Sequence, residues 1–285
     1  MKQGQGELRA LTSVRGLAAW YVVLFHVRIA TRTLVGPDVT AIFNYGYLAV
    51  DFFFMLSGFV IWLNYADRLR AGGLAEIPGF LWRRLARIYP LHLFILSGAV
   101  AFALAHVVAG KPLPPRYNFA DLYYHVFLIQ NWGIAEKTMM WNVPAWSISC
   151  EFAAYLAFPL LAMSVDWRRW GSAGLVLAAL GFGISLHLLM MRAGVDSLGA
   201  YISRVGLIRC FCEFAMGTVL CELWRRWRAT PLWPALAGGG IALAGLLWFL
   251  NGGPETLSLP LGVAGLLLAL ALTAELKGNP LANPV

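Results

Sequence analysis

Apolar residues run along this chain in long unbroken stretches, without the alternating or one-sided patterns of soluble folds. The stretches fall near residues 10–30, 44–64, 91–110, 144–163, 171–191, 205–224, 232–250 and 257–276. At about 1.5 Å of rise per residue, some 20 helical residues cross a hydrocarbon layer roughly 30 Å thick. Each stretch therefore predicts a transmembrane helix. A ninth stretch, Phe119–Trp132, is shorter and contains Asp121, His125 and Gln130, which suits a re-entrant or interfacial helix. The expected fold class is all-α: a polytopic integral membrane helix bundle of about eight transmembrane helices plus that short helix. No internal repeat or low-complexity linker divides it, so residues 1–285 read as a single domain.

Composition sharpens this picture. The 285 residues are 60% hydrophobic and 13% charged, about half the charge usual for soluble domains. The net charge of +8 reports topology before it reports partners. With eight crossings and the N-terminus inside, Lys2, Arg9, Arg68, Arg70, Arg83, Arg84, Arg87, Arg168, Arg169, Arg225, Arg226, Arg228 and Lys277 lie inside. That is 13 of the 22 cations. Arg28, Arg32, Lys111, Arg116, Lys137, Arg192 and Arg204, seven in all, lie outside, so the positive-inside rule places both termini in the cytoplasm. The cations are spread over short loops and form no nucleic-acid patch. The four cysteines sit inside apolar stretches, and Cys210-x-Cys212 lacks the further ligands of a metal site. The first apolar stretch is too long, and too charged at Arg15, for a cleavable signal.

Polar residues inside the apolar stretches mark candidate chemistry. In Leu8–Val27, Arg15 and His26 stand eleven residues apart. Eleven steps of 100° end about 20° past three turns, so the two share one helix face, roughly 16 Å apart along it. Ionisable groups within a span cost about 2.5–3.5 kcal/mol each and usually face a bundle interior or a wet cavity. Histidine, whose ordinary pKa lies near neutrality, suits a general base for a hydroxyl; a water-satisfied interfacial histidine is the competing reading.

Four further constellations follow. In Gly46–Trp62, Asp51 stands near the outer helix end and either orients the His26 imidazole at similar depth or caps its own helix; Ser57-Gly58 offers a surface for close packing. In Phe80–Pro90, Arg83 and Arg87 are four apart and Arg84 and Arg87 three apart, so they share a face of an interfacial helix. That face binds phosphates by bidentate contacts or anchors in lipid headgroups. In Trp141–Leu161, Ser147 and Glu151 share one face, and a carboxylate at this depth needs a cation or a proton. Arg209 and Glu213, also four apart, read as an ion pair or as ligand contacts.

Walker A, HExxH and GxSxG patterns are absent, and Asp, Glu and His residues form no metal-ligand set. Together LRALTSVRGLAAWYVVLFHV, GYLAVDFFFMLSGFVIW, FLWRRLARIYPLH, WNVPAWSISCEFAAYLAFPLL and RCFCEFAMGTVL, five ordered blocks over residues 8–220, resemble the membrane-bound acyltransferase-3 family. These are bacterial proteins that O-acylate glycans and some small molecules. The resemblance implies transfer from a cytoplasmic acyl-CoA, usually acetyl-CoA, to a hydroxyl at or beyond the membrane. No permanently bound cofactor is implied, and lipid of the bacterial inner (cytoplasmic) membrane surrounds the bundle. It also implies that Arg15 and His26 are essential, with His26 the base. Two departures stand out. Cys150 precedes Glu151 where family members commonly have a second glutamate, and the family's last helix, with an SYxxYLxH-like pattern, does not follow Asn279–Val285. A non-enzymatic transporter or exporter, and an inactive truncated paralogue, are the alternatives.

Overall fold

The computed structural model describes residues 9–134 and 141–274. Lys2, Leu8, Lys137, Lys277 and the Asn279–Val285 segment lie outside the described residues. Within them every regular element is helical: α1 Arg9–Phe43, α2 Ala49–Gly72, α3 Ile77–Val108, α4 Leu122–Val126, α5 Trp146–Ser164, α6 Ser172–Arg192, α7 Ile202–Trp227, α8 Leu232–Leu250 and α9 Glu255–Thr273. The eight apolar stretches correspond to α1–α3 and α5–α9. Among the described residues six stretches are long and apolar enough to cross a membrane, one of them running through both α2 and α3. The eighth long helix, α7, is long enough but carries Arg204, Arg209, Glu213, Glu222, Arg225 and Arg226 along its length. The protein is a multi-pass integral membrane helix bundle.

Local chemistry explains where the helices break. In α1, Gly36 adopts a non-helical φ of 79° immediately before Pro37, which lacks an N–H, and the chain turns there. In α3 the opposite holds. Pro90 sits inside the helix without ending it, so the basic stretch at 80–90 and the apolar stretch from 91 form one 32-residue helix in place of an interfacial helix followed by a span. The Phe119–Trp132 stretch contains only a 3₁₀ turn at Phe119–Asp121 and the five-residue α4, about 14 Å of helix in all, short of a hydrocarbon layer roughly 30 Å thick.

The chain divides into two compact units: Met1–Leu63 with Trp167–Ala200 and Cys212–Val285, and Asn64–Asp166 with Tyr201–Phe211. In the first, α8 and α9 pack as a hairpin through Gly238, Gly245, Gly262 and Gly265. α2 crosses α7 where Gly58 lies on the Phe214 carbonyl and Gly217 on the Met55 carbonyl; the close packing expected at Ser57-Gly58 is realised against a second glycine. Trp62 donates its indole N–H to Glu222 at 2.7 Å, and Arg225 pairs with Glu222 at 2.9 Å. In the second unit, α3 packs on α5 through Phe80 and Phe158, ring centroids 5.3 Å apart.

Helix parity gives a direct expectation for topology. A reporter fused at Ala229, between α7 and α8, should read cytoplasmic, and one at Gly252, between α8 and α9, should read outside. The reverse pair would mean that 119–132 adds a crossing.

Candidate functional site

The first unit carries the α1 face. Arg15 and His26 are both exposed on α1. His26 Nδ1 lies 2.8 Å from the carbonyl oxygen of Val22, one turn back. A carbonyl only accepts, so Nδ1 carries a proton, and in the neutral ring Nε2 holds the lone pair. The ring stands edge-on to Phe25 at 5.2 Å. Around it the hairpin from α1 to α2 is tied by polar bonds. Tyr21 donates its hydroxyl to the Ile42 carbonyl at 2.7 Å, and Arg28 Nε donates to Asn44 Oδ1 at 2.8 Å. Arg28 also bonds the Phe25 carbonyl and lies 3.9 Å over the Phe25 ring.

Gly46 lets the entry to α2 lie directly on the Tyr21 carbonyl and Phe25 Cβ. Asp51 follows in the first turn of α2 and is fully buried. In that first turn its carboxylate is favourably placed against the helix macrodipole. The Val22 carbonyl holds the imidazole at its Nδ1 side.

In the second unit, the basic start of α3 is organised by Tyr65. Arg84 Nη2 donates to the Tyr65 hydroxyl at 3.0 Å. The Arg84 and Arg83 guanidinium carbons lie 5.0 and 5.6 Å from the centroid of the same ring. Arg87 is exposed. Helical spacing places Arg83, Arg84 and Arg87 on one face; the structure gathers Arg83 and Arg84 over one aromatic platform, the Tyr65 ring. Among the described residues no carboxylate pairs with any of the three, while nearby Glu76 pairs with Arg68 at 2.8 Å and Asp67 with Arg70 at 3.3 Å.

On α5, Ser147 bonds back to the Pro144 carbonyl at 3.3 Å, and Glu151 accepts the Tyr155 hydroxyl at 2.6 Å. Arg209 and Glu213 lie one turn apart on α7 and are 1% and 0% exposed. Arg209 stacks 5.8 Å over Trp146.

The sequence reading passed over a buried polar cluster in this unit. Ser149, not Ser147, is the buried serine: its hydroxyl donates to the Leu128 carbonyl at 2.8 Å and accepts the Asn131 backbone N–H at 3.2 Å. Asn131 Nδ2 donates to Cys150 Sγ and to the Ile202 carbonyl, both at 3.1 Å. Gln130 bonds the Ala145 carbonyl at 3.1 Å, and His92 Nε2 donates to the His125 carbonyl at 2.8 Å. The segment that gathers these groups turns at Leu128, buried with φ 56°. Leu128 N–H bonds the His125 carbonyl and Ile129 N–H the Tyr124 carbonyl, a helix stop that normally carries glycine. The available signal was the density of Asp, His, Gln and Asn within one short apolar stretch.

Comparison with known proteins identifies the family. Residues 8–282 match the model of the acyltransferase-3 family, described as "Acyltransferase domain". Acyltransferase MdmB of Streptomyces mycarofaciens is 36% identical over 185 residues, 61% of this chain and 45% of MdmB. Protein 2 in the picA locus of Rhizobium radiobacter is 30% identical over 64% of this chain and 93% of its own length. Exopolysaccharide production protein ExoZ of Rhizobium meliloti is 29% identical over 79% of this chain and 68% of ExoZ. The chain thus spans less than half of MdmB and about two thirds of ExoZ. No solved structure matches it.

Proposed function

The chain belongs to the acyltransferase-3 family, and from that premise we propose that it moves an acyl group, acetyl as the expected case, from cytoplasmic acyl-CoA to a hydroxyl. The acceptor is a carbohydrate, a reading supported by the exopolysaccharide-production name of one relative, and the work is done in the bacterial cytoplasmic membrane. The observation that carries the reading is the state of His26. Its Nδ1–H is committed to Val22, so Nε2 is presented as a proton acceptor within an apolar helix.

Nε2 takes the proton of the acceptor hydroxyl as its oxygen attacks the thioester carbonyl. The C–S bond then breaks, and the imidazolium returns the proton to the CoA thiolate. An acyl-His26 relay uses the same nitrogen as nucleophile and releases the same products. Arg83, Arg84 and Arg87 are assigned to the donor phosphates, since no carboxylate among the described residues pairs with them, and Arg15 to the thioester end of the donor. Asp51, buried in the first turn of α2, is assigned to the support of the His26 imidazole. Ser147, Glu151, Arg209 and Glu213 are assigned to the acceptor side or to the integrity of the bundle.

The test is turnover of labelled acetyl-CoA by purified protein with a glycan acceptor present. Label is expected to move to the acceptor, and Arg84→Ala is expected to raise KM for acetyl-CoA about tenfold, the loss of one charge-assisted contact. Solute flux driven by a pH gradient, with no CoA released, would replace this reading with a transporter.

A further inference from the structure

Tyr65 has no assigned part in the reaction, yet two of the three arginines at the start of α3 converge on it. Successive helical residues leave the axis about 100° apart, so Arg83 and Arg84 would splay on an isolated helix. Here both guanidinium groups come within 6 Å of the Tyr65 centroid, a range at which the ring face attracts cations. Arg83 also lies over Gly79, where an added methyl would meet one of its nitrogens at 3.5 Å, an ordinary contact. The ring is held in turn by the aromatic stack beneath it, 5.0 Å from Phe80, itself 5.3 Å from Phe158. The Tyr65 hydroxyl accepts from Arg84 Nη2, and its own proton stays available for an incoming oxygen. Arg84 Nε is buried without a hydrogen-bond partner. Two like charges gathered on one ring repel each other, and an anion of two negative charges bridging them removes that cost.

We infer that Tyr65 is a positioning residue that sets Arg83 and Arg84 as a paired cradle for the diphosphate of a nucleotide-bearing thioester. Tyr65 thereby determines that the enzyme prefers such a donor to a short thioester. The inference rests on the donor reading proposed above.

The experiment compares acetyl-CoA with S-acetyl-N-acetylcysteamine, a thioester without phosphates, for the full-length protein and for Tyr65→Phe and Tyr65→Leu. In Tyr65→Phe the ratio of kcat/KM for the two donors is expected to fall about tenfold, chiefly through KM for acetyl-CoA, as one hydrogen bond to a charged group is lost. Tyr65→Leu, which also loses the ring, should lower the ratio further. An unaltered ratio in both variants, or an equal loss with both donors, overturns the inference, the latter because a purely structural tyrosine would lower both rates together. A wild-type ratio near one removes the donor reading itself and the inference with it, a result distinct from wild-type preference that survives in the variants.

Discussion

Gly217→Ala is expected to destabilise the bundle by about 3 kcal/mol or more, at the upper end of overpacking costs. A methyl at this position would fall 2.0 Å from the Met55 carbonyl oxygen and 3.0 Å from the Phe59 nitrogen, and one at Gly58 would fall 2.0 Å from the Phe214 carbonyl oxygen. In both cases the obstacle is helix backbone, which cannot rotate away as a side chain does. α2 and α7 would have to separate, and the buried Phe54, Met55, Phe59 and Met216 near their crossing would lose contacts. Helix association in lipid depends on such close packing, because burial of apolar surface gives little advantage over the lipid itself. The comparison that isolates the effect is Gly98→Ala, on α3, where an added methyl meets nothing within 4 Å. There the better helix former should raise stability by about 0.5–1 kcal/mol. The check is the thermal midpoint of the detergent-solubilised protein: Gly217→Ala should fall and Gly98→Ala should rise. Equal midpoints would mean that α2 and α7 do not cross as described.

His26→Ala is expected to lower kcat by about 10² to 10⁴, the range for loss of a positioned general base, without lowering stability. The two outcomes separate because His26 is exposed and its hydrogen bond and its ring contact with Phe25 are made within its own helix; removal of such an exposed side chain usually changes stability by no more than about 0.5 kcal/mol. A thermal midpoint equal to wild type, together with lost turnover, assigns the effect to chemistry. His26→Gln restores polarity without a proton acceptor of comparable basicity and should remain as inactive as the alanine variant.

Much of the fold was legible because long apolar stretches report transmembrane helices almost directly, and all eight reappear. What the stretches did not show was continuity. Pro90 looked like a boundary, yet α3 runs through it from Ile77 to Val108, since in a membrane bundle the carbonyl freed by a proline is accommodated within the helix and its surroundings. The expected level pairing of Asp51 with His26 came from hairpin connectivity alone. Connectivity fixes neither exposure nor orientation: Asp51 is buried in the first turn of α2, and His26 is exposed with its Nδ1 on the Val22 carbonyl. Ser147 stands out in the sequence because it shares a face with Glu151, whereas Ser149 carries no such pairing. Two residues along a helix turn a side chain by about 200°, and it is the opposite face that is buried against Leu128 and Asn131. Tyr65 was invisible for a further reason. Its partners lie about 20 residues away across a helical turn, and no spacing rule brings together two arginines that point apart along one helix.

Release of free CoA thiol from acetyl-CoA by purified wild-type protein and His26→Ala, matched for folded amount and supplied with a glycan acceptor, tests the proposed reaction most directly. Wild type is expected to release CoA in step with acylation of the acceptor, and His26→Ala to release it at least about a hundredfold more slowly. Equal release by the two proteins would contradict the assignment of His26 as the group that takes the acceptor's proton.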